Sequence, residues 1–188
     1  HYVYDESGLN FAEGLPYTES HRHFSHLMAF HPLGLLDPSQ GDSVRRILQN
    51  SMETLERIGP EWWCGYSYSW VGGMWARMGD GERAAAALRD FAQCFCLKNS
   101  FHANGDQSRS GKSNFTYRPF TLEGNMAFAS SLQEMLLQSH TGTVRIFPAI
   151  PPSWKDVSFR TLRTEGAFLV SAAMRDGKVS EVKVRSTV

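Results

Sequence analysis

The sequence predicts a mainly α fold that ends in a C-terminal antiparallel β segment, and three observations carry that expectation. Apolar residues recur at three- and four-residue spacing through four successive segments between Val44 and Leu136. After Thr141-Gly142 the period shortens to two. Near the end, Asp176-Gly177 stands between two alternating runs as a strong hairpin signal.

The first twenty residues are rich in Gly, Tyr and acids without a clear period, and read as an arm leading into a histidine-rich segment. From His23 to Phe30, the residues Phe24, Leu27, Met28 and Phe30 predict a short helix that Pro32 and Gly34 stop. Asp37-Pro38-Ser39 opens a stronger one, with Val44, Ile47, Leu48, Met52, Leu55 and Ile58 as its stripe and Gly59-Pro60 as its end. A third runs from Ser67 to Met78 with Trp70, Val71, Met74, Trp75 and Met78 inward, and an Ala-rich fourth from Glu82 to about Leu97. Their short connections imply antiparallel neighbours.

Residues 98 to 121 are too polar and too long for a plain connector, and read as a functional or mobile loop. A fifth helix is expected from about Asn125 to Ser139, with Met126, Ala129, Leu132, Met135 and Leu136 on its apolar face and Gln133 and Glu134 pointing elsewhere. Strands follow at Val144 to Pro148, Val157 to Leu162, Phe168 to Ala173 and Val179 to Val184. The division is therefore residues 1–140, helical, and 141–188, the beginning of a β domain.

Composition excludes several classes of function. Lys plus Arg and Asp plus Glu both number 19, so there is no net positive field to hold nucleic acid or an anionic membrane surface. No apolar run reaches the length of a transmembrane helix. Cys64, Cys94 and Cys96 are an odd set, and Cys-x-Cys on a helix favours neither a bridge nor a zinc knuckle. No dinucleotide-binding glycine pattern, complete phosphate loop or serine-hydrolase elbow is present, and no cofactor is called for. The start lacks the features of an export signal and reads as the middle of a longer protein. The compartment stays open, an extracellular or periplasmic parent being compatible with it.

Two segments could do chemistry. His21-Arg22-His23-Phe24-Ser25-His26 invites a metal reading, but no Glu-x-x-His partner or cysteine pair supports one. Buried or capping histidines are the plain alternative. Neutral imidazoles also both donate and accept, which suits a polyol without any metal. Arg118-Pro119-Phe120-Thr121-Leu122-Glu123-Gly124-Asn125 holds the candidate acid, Glu123, with the Asn125 amide beside it and Arg118 five residues earlier. If that loop folds back, Arg118 holds the Glu123 carboxylate ionised; the plain alternative is a helix-start carboxylate favoured by the dipole. Trp63 and Tyr66 precede a helix where rings can form a pocket wall, or else pack in the core. Glycoside hydrolysis needs a second carboxyl group, about 6.5 to 9.5 Å away in inverting enzymes. Glu19, Glu61 and Asp106 are the candidates, and none has a distinctive setting.

Taken in order, the stretch from His21 to Leu27, Gly65-Tyr66-Ser67-Tyr68-Ser69-Trp70, Trp75 to Gly81, Pro119 to Asn125 and Glu134 to Pro151 resembles glycoside hydrolase family 95, which contains α-1,2-L-fucosidases and some α-L-galactosidases. The resemblance implies the last part of an (α/α)6 barrel followed by the start of the family's C-terminal β domain. It implies an inverting exo-glycosidase acting on a glycan with a terminal α-linked fucose or galactose. In the family, a glutamic acid protonates the leaving group, and asparagines polarised by an aspartate position the attacking water. The aspartate's Asp-Gly-Asn motif falls on Glu123-Gly124-Asn125, so Glu123 takes the catalytic position with one methylene more. That added length moves the carboxylate by about 1 Å, enough to cost on the order of a hundredfold where water must be aligned. His23 or His26 matches the substrate-binding histidine region, with His21, Arg22, Trp63, Arg118 and Asn125 lining the site. The general acid would lie upstream, so the chain alone is expected to be inactive. The alternative is a non-catalytic carbohydrate-binding or structural homologue. A partial barrel would also expose apolar faces and self-associate.

Overall fold

A computed structural model describes residues 2–188. A small β1–β2 arm (Tyr4–Asp5 with Gly8–Leu9) leads to an irregular segment and then to four helices: α1 Asp42–Ile58, α2 Gly65–Met78, α3 Gly81–Cys94 and α4 Leu122–Leu136. A short antiparallel pair, β3 (Leu137–Gln138) with β4 (Arg145–Ile146), joins them to a meander of β5 (Val157–Arg163), β6 (Phe168–Arg175) and β7 (Lys178–Ser186). The mainly α fold with a C-terminal antiparallel β segment stands. No described helix is long and apolar enough to cross a membrane.

α2 is the centre of the molecule. Every residue from Gly65 to Arg77 except Tyr66 is buried, as an all-round apolar helix demands. α3 presents Leu88 to Gly72, while α4 crosses where Gly73 faces Ser131 and His31. The Ser131 hydroxyl donates to the Ser69 carbonyl at 2.7 Å across that crossing. Small residues let the two backbones approach, so the buried face of α4 runs through Gly124, Ser131 and Met135. The stripe expected from the sequence places Met126 there; it is 60% exposed. Glu134 also turns inward rather than away, pairing at 2.9 Å with the buried Arg77, which donates further to the carbonyls of Phe30 and Pro32.

Other boundaries move for local reasons. Between His23 and Phe30 only Ser25–Leu27 forms a 3-10 turn, not the expected helix, because Phe24, Leu27 and Phe30 all dive into the core and coil the chain tightly. Asp37 caps a second short turn, Pro38–Gln40, by accepting from Ser39 N at 2.9 Å, and α1 starts afterwards at Asp42. α4 begins three residues before the expected start, which puts Glu123 and Gly124 inside its first turn.

The Asp176-Gly177 hairpin forms as expected: both residues have positive φ (49° and 74°), the conformation that Asp-Gly supplies to a tight two-residue turn. Phe159, Val170, Ala172 and Leu137 make a small second core beneath the sheet. The outer strand β7 is exposed along its whole length, Val182 and Val184 included.

Candidate functional site

The segment from Arg22 to Met28, the first turns of α2 and α4, and the loop before α4 enclose a cleft of about 340 Å³. Arg22, His23, Ser25 and Met28 line it from the histidine segment, Cys64, Tyr66 and Trp70 from the start of α2, and Asn104 and Glu123 from the loop and the first turn of α4. A larger hollow of about 640 Å³ lies between α1 and the α2–α3 turn, but its carboxylates Asp42, Asp80 and Glu82 sit on an open charged surface without an imidazole. The smaller cleft gathers the residues that bear on chemistry.

Main-chain hydrogen bonds join its parts. The Ser67 hydroxyl, in the first turn of α2, donates to the Arg22 carbonyl at 2.7 Å and accepts from Cys64 N at 3.1 Å. Gly65 N donates to the Asn104 carbonyl at 3.2 Å. The two helix starts are spaced by one side chain, His102, which is fully buried. Its Nδ1 lies 2.7 Å from the Thr121 carbonyl, which makes that nitrogen the donor, and the main-chain N–H of His102 donates to Asn125 Oδ1 at 2.9 Å. A methyl group added to Gly65 or to Gly124 would overlap the His102 ring. Gly124 is therefore a glycine because an imidazole occupies the space its Cβ would need.

Within the cleft, Arg22 Nε donates to His23 Nε2 at 3.3 Å. Burial, Arg22 and His21 together depress the His23 pKa, so this imidazole is neutral and can both donate and accept. The Tyr66 phenol is pushed above its usual range by burial first, then by the Glu123 carboxylate and Cys64. It stays protonated as a donor. Glu123 is exposed in the first turn of α4, where the helix dipole favours a negative charge. It is the sole carboxylate among the residues lining the cleft.

The sequence-predicted residues separate into three groups. Glu123, Arg22 and His23 meet in the cleft. His21 lines a neighbouring hollow of about 540 Å³ with Glu19, sharing His23 and Ser25 with the cleft. The remaining four are elsewhere. His26 stacks on Tyr17 (5.1 Å between centroids) and touches Phe11, and burial depresses its pKa to about 4. Trp63 is 5% exposed, packed edge-on against Phe24 and Tyr68, because it is flanked by core aromatics on both sides. Arg118 points to solvent and, among the described residues, pairs with no carboxylate, so it does not hold Glu123. Asn125 is spent on the loop, accepting from His102 N and donating to the Ser100 carbonyl.

Of the other two carboxylates considered, Asp106 organises the 98–121 loop by accepting from Ser108, Arg109, Ser110 and Lys112, while Glu61 accepts from Asn114 Nδ2 at 2.9 Å. Sequence reasoning misses Asn104, Trp70 and His102 as shapers of the site. Asn104 and His102 lie in the polar stretch that reads as a functional loop, so the region is visible in the sequence and the residues are not.

The glycosyl hydrolase family 95 catalytic-domain model matches residues 13–136, and the glycoside hydrolase family 95 C-terminal-domain model matches residues 138–188. Alpha-L-fucosidase 2 of Arabidopsis thaliana is 27% identical over 163 residues, covering 86% of this chain and 18% of its own length. Probable alpha-fucosidase A of Aspergillus niger is 24% identical over 179 residues, covering 86% of this chain and 21% of its own. The chain thus spans roughly a fifth of the length of these curated relatives.

Proposed function

This chain belongs to glycoside hydrolase family 95, and from that membership we propose that it supplies one half of the active site of an inverting exo-glycosidase acting on terminal α-L-fucosides or α-L-galactosides. Residues 1–140 are the end of the catalytic barrel in this reading, and 141–188 the start of the C-terminal β domain. The observation that carries the proposal is the single cleft carboxylate, Glu123, lining the same cleft as a neutral His23 and its Arg22. Glu123 activates or orients the attacking water, directly or through neighbouring amides. His23, Arg22 and the Tyr66 hydroxyl hold the sugar hydroxyls. One carboxylate cannot serve as both acid and base on opposite faces of the sugar, so the proton donor comes from another part of the protein and the chain alone binds without turnover.

The test is hydrolysis of α-L-fucosides and α-L-galactosides by the full-length protein, with the anomer released followed by NMR. Inversion is expected, and Glu123→Gln should lower kcat by on the order of 10²- to 10⁴-fold, the range of general acid–base catalysis, with KM little changed. Retention of configuration, or a Glu123→Gln rate within tenfold of the parent, overturns the assignment. A second reading, a non-catalytic carbohydrate-binding homologue, is favoured by one observation: Glu123 stands where the family's aspartate is expected. Binding without release of reducing sugar by the full-length protein would establish it.

A further inference from the structure

Trp62 and Trp63 are sequence neighbours with opposite fates: Trp63 is buried in the core, while Trp62 is 43% exposed. Leaving that much of an indole in water forfeits burial that its neighbour obtains. Trp62 is also not isolated. Its ring lies 5.3 Å from that of Phe115, which lies 5.3 Å from Tyr117, both in edge-to-face geometry. The three rings form a strip that reaches the cleft at two points. The Arg22 guanidinium, which lines the cleft, sits 5.7 Å from the Phe115 centroid, and Asn104 Nδ2, from another lining residue, donates to the Tyr117 hydroxyl at 3.4 Å.

The strip is built on fixed backbone. Ser113 Oγ donates to the Trp63 carbonyl at 2.6 Å and accepts from Phe115 N at 2.9 Å. Asn114 N donates to the Glu61 carbonyl at 2.7 Å, and Trp62 N to Ser20 Oγ at 2.9 Å. Asp106 N and Gly105 N donate to the carbonyls of Phe115 and Tyr117. Such rings need little ordering when a ligand arrives.

We propose that Trp62, Phe115 and Tyr117 form a second sugar subsite that receives the leaving-group saccharide of a longer glycan. This rests on the cleft being the site of the terminal sugar. A pyranose has apolar C–H faces and a rim of hydroxyls; the strip offers ring surfaces with Asn104, Asn114 and Glu61 along its edges. A stacked nucleobase would need cations for its phosphates, whereas the strip carries Arg22 and a carboxylate, Glu61, on a chain of formal net charge zero.

The experiment compares binding of methyl α-L-fucoside and of a fucosylated lactose to the full chain by calorimetry, with tryptophan emission as a second readout. The trisaccharide should bind about tenfold more tightly, the scale of one or two aromatic contacts, and should shift the emission of the exposed Trp62 to the blue. Trp62→Ala should remove the tenfold advantage and leave the monosaccharide unaffected; Phe115→Leu, which keeps apolar volume but no ring, should do the same for the trisaccharide. Equal binding of the two glycosides, or an unchanged ratio in both variants, overturns the subsite alone. If neither glycoside binds the unmodified chain, the cleft assignment fails and the subsite fails with it.

Discussion

The two sides of the cleft are held by different means. On the Glu123 side, one buried imidazole, His102, is wedged between the first turns of α2 and α4, and two glycines make room for it. On the histidine side there is no wedge: Phe24, Leu27 and Phe30 are anchored in the core, and the polar residues between them are displayed wherever the coil turns them. His21 consequently lines a hollow, His23 lines both that hollow and the cleft, and His26 sits in an aromatic stack. Closeness in sequence brings only His21 and His23 together, edge to face at 5.4 Å between centroids, and leaves His26 apart, whereas Glu123 owes its place to a histidine twenty-one residues away.

The comparison is most sharply tested by acid. Burial depresses the pKa of His26 to about 4 and, with Arg77 and His140 nearby, that of His31 to about 3. Both imidazoles are protonated more readily in the unfolded chain, so their contribution is complete above about pH 6.5 and declines as pH falls from there, the decline ending near 4 for His26 and near 3 for His31. The unfolding free energy from urea titrations should therefore fall between pH 6.5 and 4, by on the order of 5 kcal/mol for the two residues together. His26→Phe should remove part of that slope. A midpoint flat over this range would mean that the histidine side is not a buried, neutral one.

The wedge predicts the next largest effect. Gly124→Ala forces a methyl into the fully buried His102 ring and should cost about 1–3 kcal/mol in equilibrium unfolding. A neutral Gly124→Ala would show that the two helix starts are free to separate. The smallest effect distinguishes the histidines from one another. His23→Ala should weaken binding of methyl α-L-fucoside several-fold through loss of about 1 kcal/mol of hydrogen bonding, while His26→Phe leaves it unchanged. Equal losses in the two variants would place His26 in the cleft.

Much of the scaffold is legible in the order of the residues. The Val44 to Ile58 spacing marks α1, and Leu48, Met52 and Leu55 are indeed among its buried residues. Asp176-Gly177 marks the final hairpin. The last helix, α4, is legible as a helix but not in its facing, because its buried face is made partly of glycine and serine, which an apolar stripe does not reveal. The site is legible as two segments and not as a set of contacts. Nearness in sequence suggests Arg118 on Glu123; Pro119 and the pairing of Ala103 with Phe120 keep that stretch extended, and the guanidinium points to water.

What the sequence determined by itself was the kind and order of the elements and the family to which their motifs belong, because helix period, strand alternation and turn conformation depend on residues a few positions apart. What only the tertiary structure decided was which of several similar side chains does what: Trp62 in water and Trp63 in the core, His23 in the cleft and His26 on Tyr17, Glu134 on Arg77. Those outcomes hang on partners brought together from distant segments, such as the Ser67 hydroxyl on the Arg22 carbonyl and His102 between Gly65 and Gly124. Local spacing carries no record of such contacts, since each depends on how whole helices pack.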